Sequence, residues 1–291
     1  MDSIVRNVET IALRSKPKSA RAQFGLALGH CFGEHGATGR TAAKQSRAHL
    51  EGENAMPCPT IHEFAAMADA IYSPSNSVLV PNYTRISFRE RSNGFKGGLY
   101  RQSSGRNQTN IIAFAGTDMS GEAGTDIRDL AADVGFAGRS VTLAVYITNP
   151  AAAISIELGR QLLEWQFREA LALVRDTLGT AGHGSTTYVV GHSLGGGLSQ
   201  MVAAELGLKG MAFNAPTTSQ LGYSISPANR FLCVNQWNDP VSLATKAIGN
   251  HLGEELIINN GTSGMDAHSM TNIVSYLASS GGNYYGQQVR F

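Results

Sequence analysis

The residues best suited to carry chemistry are Gly191-His192-Ser193-Leu194-Gly195, which fit the pattern G-x-S-x-G. A pattern this short also occurs in plain glycine-rich bends, so the flanking residues must decide between the two interpretations. The apolar, β-branched and aromatic run 188–190 is typical of a buried strand. Apolar residues then recur at helical spacing over 198–206, and Gly207 favours a helix end. A strand–turn–helix setting presents the serine hydroxyl at a sharp corner, so Ser193 is predicted to be a nucleophile.

A serine hydroxyl needs a neighbouring base, and histidine is the usual one at neutral pH. Two histidines follow the nucleophile at a distance in the chain, His251 and His268. His268 follows the strand-like run ELIINN and precedes a helical apolar pattern, which predicts a strand-to-helix loop. Such loops gather at the carboxyl edge of an open α/β sheet, where Ser193 is also expected. His268 is therefore the predicted base, with His251 as the alternative.

The base in turn needs a carboxylate to fix its tautomer. Asp239 follows the apolar strand-like run RFLCV, and Pro240 stiffens the turn that presents it. Asp266 is the alternative, but it stands only two residues from His268 and would have difficulty reaching the far ring nitrogen. The chain order Ser193, Asp239, His268 is that of α/β-hydrolases.

A tetrahedral intermediate also requires hydrogen-bond donors for its oxyanion. Leu194 offers a backbone N–H because it follows the nucleophile. Thr117 follows the strand-like run NIIAFAG and can offer both a backbone N–H and a hydroxyl. Thr117 and Leu194 are the predicted oxyanion donors.

The chain resembles the class 3 lipases, a branch of the α/β-hydrolases, over roughly residues 110–280. The resemblance is carried by six ordered segments: FAGTD, TDIRDLAADVGF, VVGHSLGGGLSQMVA, MAFNAP, VNQWNDPV and AHSMTNIVSYL. It implies an α/β-hydrolase fold with a mainly parallel central sheet flanked by helices. It also implies the triad Ser193, Asp239, His268 and the oxyanion donors Thr117 and Leu194. Ala115 departs from the arginine that the family often carries there.

The chain divides into a basic arm over residues 1–55 and a domain over 56–291. The arm holds eight Lys/Arg against five Asp/Glu without a sustained apolar period, which predicts a mobile segment or a translocation signal. Thr60 to Glu63 has the form of a helix capping box. Strands are predicted at 84–90, 96–103, 110–116, 210–213, 230–235 and 255–259, and helices at 125–136, 154–179 and 267–279.

Composition excludes several classes of function. A formal net charge of +1 gives no global field for nucleic acid. Three cysteines give no disulfide framework, and Cys233 lies in an apolar run typical of a core residue. No cofactor or metal is predicted: HCFGEH has no standard ligand spacing. The sequence contains no spanning apolar run and no cleavable secretory signal at its N-terminus, so we expect synthesis in the cytoplasm, with export by a specialised secretion system as an alternative.

These patterns together predict a serine hydrolase that cleaves acyl esters of lipids, of the phospholipase A or lipase type. The apolar segment 135–153 is expected to be either a buried edge element or a lid that opens toward lipid. The expected partners are a lipid or phospholipid substrate and, transiently, a membrane surface, with any host or secretion-system partner unidentified. An acyltransferase or thioesterase on the same triad, or a silent lipid-binding module, is the alternative.

Overall fold

The computed structural model describes residues 58–75, 80–92, 94–104, 107–116, 150–181 and 185–280. The predicted arm 1–55, the predicted helix 125–136 and Thr117 lie outside these ranges. Residues 135–149 of the apolar segment 135–153 also lie outside these ranges, and its last four residues form the start of a helix.

The described residues form a seven-stranded sheet whose spatial order follows the chain order. Its strands are β1 (Thr84–Glu90), β2 (Lys96–Ser104), β3 (Asn107–Phe114), β4 (Ser185–His192), β5 (Lys209–Phe213), β6 (Phe231–Gln236) and β7 (Glu254–Ile258). Strand β2 runs antiparallel to both β1 and β3, and β3 to β7 pair in parallel. The carboxyl ends of five strands therefore meet at one edge, and the predicted α/β fold class with a mainly parallel sheet is confirmed.

Helices cover both faces of this sheet. They are α1 (Ile61–Ala70), α2 (Pro150–Thr180), α3 (Leu194–Leu206), α4 (Pro240–Lys246), α5 (Gly264–His268) and α6 (Met270–Ser279). Helices α1 and α6 pack on one face around buried Phe64, Ile111 and Ile273, and α2 and α3 pack on the other face around Val189 and Leu198. Each such fully buried side chain contributes roughly 1.5–3 kcal/mol of transfer free energy. None of the described helices combines the length and apolar character that a bilayer span requires.

The first helix begins where the sequence predicted. Glu63 N donates to Thr60 Oγ1 at 3.1 Å, and Thr60 N donates to Glu63 Oε2 at 2.8 Å. This reciprocal pair is a capping box, which satisfies donors that the first turn of a helix leaves unpaired. The cap fixes the start of α1 and thereby the position of the residues that follow its end.

Two helix boundaries differ from the prediction. Helix α2 begins at Pro150 rather than at 154, because a proline suits the first turn of a helix, where its missing N–H is not needed. The single helix predicted at 267–279 is wrong: Ser269 is extended, with φ −63° and ψ 121°, and divides it into α5 and α6. The Ser269 side chain accepts from Asn272 N at 3.4 Å and so caps α6. His268, predicted in a loop, is the last residue of α5.

Candidate active site

Ser193 occupies the corner between β4 and α3. Its backbone has φ 56° and ψ −129°, a conformation that L-residues rarely adopt outside functional corners. Ser193 N donates to Phe213 O on the neighbouring strand at 3.0 Å. Ser193 O accepts from Gly196 N at 2.9 Å and from Gly197 N at 3.1 Å, which closes the first turn of α3. The strand–turn–helix context predicted for this serine is confirmed.

The two outer glycines of the pattern are required because a side chain at either position would collide with neighbouring backbone, not because the turn needs a flexible residue. A Cβ at Gly191 would collide with the carbonyl oxygen of Gly195, and a Cβ at Gly195 would collide with the carbonyl oxygen of Phe114. The turn can thus be this tight only if both positions lack a side chain. The spacing of G-x-S-x-G follows from these two close approaches.

His268 and Asp239 are in direct contact at the same edge of the sheet. His268 Nδ1 lies 2.6 Å from Asp239 Oδ1, a short distance typical of a charge-assisted hydrogen bond. Because an ionised carboxylate only accepts, Nδ1 is the donor of this hydrogen bond, which leaves Nε2 as the ring atom that can take up a proton. Both side chains are buried. The arrangement can hold a histidine in the tautomer that a general base requires.

Asp239 is itself held by the helix that it begins. Its Oδ2 accepts from Ser242 N at 2.7 Å, so the carboxylate caps α4 while Oδ1 faces His268. Pro240 occupies the first position of α4, as its fixed φ favours. One carboxylate therefore serves both the local fold and the histidine, which locks its rotamer.

His192, the residue before Ser193, is in contact with His268. The ring centroids of His192 and His268 lie 4.7 Å apart, and His192 Nε2 lies 2.8 Å from His268 O. The structure contains no hydrogen bond between Ser193 Oγ and His268. Hydrogen bonds of catalytic bases are commonly long until substrate binds.

The predicted oxyanion donors are described in part. Leu194 is buried and is the first residue of α3, so its backbone N–H lies in the open first turn of a helix. Thr117 lies outside the described residues, but the residue before it is close to the nucleophile. A Cβ at Gly116 would lie 2.7 Å from Cβ of Ser193. The chain leaving β3 therefore passes directly beside the serine.

Tyr72 and His192 are polar residues at this site that the sequence reasoning did not select. Tyr72 Oη lies 2.8 Å from His192 Nδ1 and accepts from Gly116 N at 2.9 Å. Burial, with a further contribution from His268, holds the pKa of His192 well below its usual value. Tyr72 lies just beyond the end of α1, far from the elbow in sequence, so no local pattern could have identified it.

The two alternative residues from the sequence lie elsewhere. His251 contacts Asn235 and Glu255, with Nε2 3.0 Å from Asn235 Nδ2 and 3.6 Å from Glu255 Oε1. Asp266 is exposed on α5, and its backbone carbonyl accepts from Ser269 N and Asn272 Nδ2. Among the described residues, no group of three or more His, Cys, Asp or Glu side chains is arranged to hold a metal ion.

No protein-family model matches the chain, and neither does any curated protein. Among solved structures, it is similar to lipase II from Rhizopus niveus, at 15% identity and a TM-score of 0.38 over 69% of this chain and 80% of that one. It is similar to M37 lipase at 13% identity and a TM-score of 0.34, over 60% of this chain and 66% of that one. A dienelactone hydrolase from Anabaena variabilis matches at 15% identity and a TM-score of 0.32, over 68% of this chain and 96% of that one. Similarity this low assigns neither residues nor substrate, so the resemblance to class 3 lipases stays a prediction.

Proposed function

We propose that this protein is a serine hydrolase that cleaves acyl esters of lipids, with Ser193 as nucleophile, His268 as base and Asp239 as the residue that orients it. The observation that carries the proposal is the 2.6 Å contact between His268 and Asp239, at the edge where Ser193 turns from strand to helix. A buried carboxylate–histidine pair beside a strained serine is the arrangement that nucleophilic acyl transfer needs.

The mechanism proceeds in two halves. Ser193 Oγ attacks the ester carbonyl carbon while His268 Nε2 takes the hydroxyl proton and Asp239 stabilises the imidazolium. The backbone N–H groups of Leu194 and Thr117 bind the oxyanion, and His268 returns its proton to the leaving alcohol. Water, deprotonated by His268, then attacks the carbonyl carbon of the acyl-enzyme. The bond to Ser193 Oγ breaks, His268 returns the proton to that oxygen, and the fatty acid leaves.

Exposed apolar side chains around the pair support a lipid as the substrate. Trp237 is 60% exposed two residues before Asp239, Leu243 is 48% exposed on α4, and Met265 is 50% exposed on α5. Asp239 caps α4, which carries Leu243, and His268 ends α5, which carries Met265; the two helices contact each other. Exposed apolar surface beside a site marks contact with a membrane, a ligand or another protein, and for an ester hydrolase we infer a lipid.

The test compares hydrolysis of short-chain nitrophenyl esters with fatty-acid release from mixed-acyl phospholipid vesicles. Wild type, Ser193→Ala and Ser199→Ala are measured in parallel. Ser199 is a matched control because it is also a buried serine of α3, but its Oγ donates to Gly196 O at 2.8 Å within the helix. Ser193→Ala is expected to lower kcat by about 10⁶-fold, whereas Ser199→Ala stays within about threefold of wild type.

Serine-dependent release of fatty acid from vesicles would support the lipid ester hydrolase and identify the acyl position that is cut. Serine-dependent hydrolysis of short esters alone would reject the lipid substrate and leave a soluble esterase. Near-normal turnover by Ser193→Ala would reject the nucleophile. Transfer of the acyl group to an added alcohol or thiol in preference to water would favour the acyltransferase alternative.

A further inference from the structure

Two polar side chains outside the proposed triad connect its base to the chain that leaves β3. Gly116 N donates to Tyr72 Oη at 2.9 Å, and Tyr72 Oη lies 2.8 Å from His192 Nδ1. His192 Nε2 in turn lies 2.8 Å from His268 O. A continuous series of hydrogen bonds thus runs from the residue before Thr117 to the backbone of His268.

The direction of each hydrogen bond follows from the atoms involved. A carbonyl oxygen can only accept, so His192 Nε2 carries a proton and donates it to His268 O. The Tyr72 hydroxyl already accepts from Gly116 N, and its own proton is available to His192 Nδ1. Nδ1 is then an acceptor, which makes the His192 ring neutral. The lowered pKa that burial imposes on His192 agrees with this assignment.

A side chain that follows β5 also binds the backbone at the end of α5. Asn214, directly after β5, donates from Nδ2 to Ala267 O at 2.7 Å, and its Oδ1 accepts from Gln236 N at 2.7 Å. Consecutive carbonyls, at residues 267 and 268, are therefore each bound by a side chain from the carboxyl ends of β4 and β5. The backbone at the end of α5 is fixed at two points, while Asp239 fixes the His268 ring at a third.

We propose that Tyr72 and His192 are positioning residues that couple Gly116, just after β3 and beside Ser193, to the His268 base. This inference rests on the proposed function of Ser193, His268 and Asp239. His192 donates a hydrogen bond to the backbone carbonyl of His268, and Tyr72 is hydrogen-bonded to both His192 and Gly116. Misplacement of a catalytic group by about 1 Å costs on the order of 10²-fold in rate. The series of hydrogen bonds holds the backbone of His268 and of Gly116, which lies beside Ser193.

The variants are chosen to remove single hydrogen bonds. Tyr72→Phe deletes one oxygen and leaves Gly116 N and His192 Nδ1 without that partner. His192→Leu removes both ring nitrogens, whereas His192→Gln retains an amide N–H that can still donate to His268 O. Tyr223→Phe is the control, because Tyr223 is partly buried and packs edge-on against Phe167 of α2, beside the core on the other face of the sheet.

The first experiment measures kcat, KM and the thermal unfolding midpoint with a soluble short-chain ester. Tyr72→Phe and His192→Leu are expected to lower kcat by about 10²-fold and leave KM within about threefold. His192→Gln should recover part of the kcat lost in His192→Leu, and Tyr223→Phe should match wild type. Wild-type kcat in Tyr72→Phe and in folded His192→Leu would overturn the proposal, with the hydrolase assignment left intact. If His192→Leu does not fold, Tyr72→Phe decides alone.

A second readout does not depend on turnover. The His268 Nδ1–H that donates to Asp239 is expected to give a downfield proton resonance, which NMR can follow in each variant. Tyr72→Phe and His192→Leu should shift or broaden this resonance, and Tyr223→Phe should not. An unchanged resonance in both site variants would reject the positioning role even if wild type proved inactive. Inactive wild type whose Ser193 also resists a fluorophosphonate would instead reject the proposed hydrolase.

Discussion

Two histidine–carboxylate pairs of this molecule, His268 with Asp239 and His251 with Glu255, contain similar groups in different surroundings. His268 Nδ1 lies 2.6 Å from Asp239, whose side chain is fully buried. His251 Nε2 lies 3.6 Å from Glu255, whose side chain is 30% exposed and is also bound by Lys246 at 2.6 Å. One oxygen of Asp239 faces its histidine and the other caps α4, whereas a single oxygen of Glu255 is shared by Lys246, Asn235 and His251.

The surroundings of His251 and Glu255 also set the charges of these two groups. Burial lowers the pKa of His251 to about 4, although Glu255 opposes the shift, so the ring is neutral at pH 7 and its contact with Glu255 is no ion pair there. Partial burial raises the pKa of Glu255, but hydrogen bonds from Lys246 and Asn235 outweigh it and the net pKa is lowered. The Glu255 charge is therefore stabilised by Lys246 and Asn235 rather than used to orient a histidine.

The difference shows that position on the sheet, not residue type, distinguishes a candidate site from a structural cluster. Asp239 and His268 follow the carboxyl ends of β6 and β7, the edge at which Ser193 also lies. His251 precedes β7, and Glu255 lies within that edge strand. In open α/β sheets the active-site groups gather beyond the carboxyl ends of the strands.

The largest expected effect comes from removal of each histidine in turn. His268→Ala should lower kcat for ester hydrolysis by about 10⁶-fold, because the nucleophile then lacks its base. His251→Ala should leave kcat within about threefold of wild type. Steady-state kinetics on a nitrophenyl ester check both variants, with circular dichroism as the control for folding. Comparable losses in the two would remove the functional distinction between the pairs.

The two carboxylates provide a second, smaller contrast. Asp239→Asn should lower kcat by about 10⁴-fold, because an amide cannot stabilise the imidazolium or enforce the tautomer. An amide oxygen can still accept from Ser242 N, so the cap of α4 is retained. Glu255→Gln should leave kcat within about twofold and lower the free energy of unfolding by less than about 1 kcal/mol, as for a partly exposed ion pair. A loss of activity in Glu255→Gln similar to that in Asp239→Asn would contradict this assignment.

The sequence was informative about the site wherever the chemistry depends on local geometry. The elbow around Ser193, the capping box at Thr60 and the strand before Asp239 follow from spacing, because each is built from residues close in the chain. The preference for His268 over His251 followed from the order of strands and helices. Each of these inferences uses contacts within one or two neighbouring elements.

The remainder of the site depends on contacts that local patterns do not contain. Tyr72 meets His192 across 120 residues of chain, and Asn214 meets Ala267 across 53. Both depend on how α1 and α5 pack against the ends of β4 and β5. The division of the last helix at Ser269 was missed for a different reason: the apolar pattern continues through it, although the cap that marks the boundary, Asn272 N donating to Ser269 Oγ, is local.

The third prediction concerns stability and uses the lowered pKa of His251. A histidine whose folded pKa is depressed is neutral in the native state while the unfolded chain, with an ordinary pKa near ~6.5, already binds a proton. Above the unfolded pKa neither state is charged, so His251 contributes no pH dependence. As the pH falls from 6.5 toward 4, the unfolded state is favoured and the free energy of unfolding decreases. Between pH 6.5 and pH 5 the decrease should be on the order of 2 kcal/mol, since a difference of one bound proton is worth about 1.4 kcal/mol per pH unit.

His251→Gln removes this titration while its amide oxygen can still accept from Asn235 Nδ2. Urea unfolding of wild type and His251→Gln between pH 7 and pH 5 measures the difference. The wild-type free energy of unfolding should fall more steeply with decreasing pH than that of the variant. The pKa values of His192 and His62 are also lowered by burial. These two residues add the same pH dependence to the free energy of unfolding of both proteins, so their contributions cancel in the comparison. Parallel pH curves would mean that His251 binds its proton as readily in the native state as in the unfolded chain, and would contradict the lowered pKa of His251.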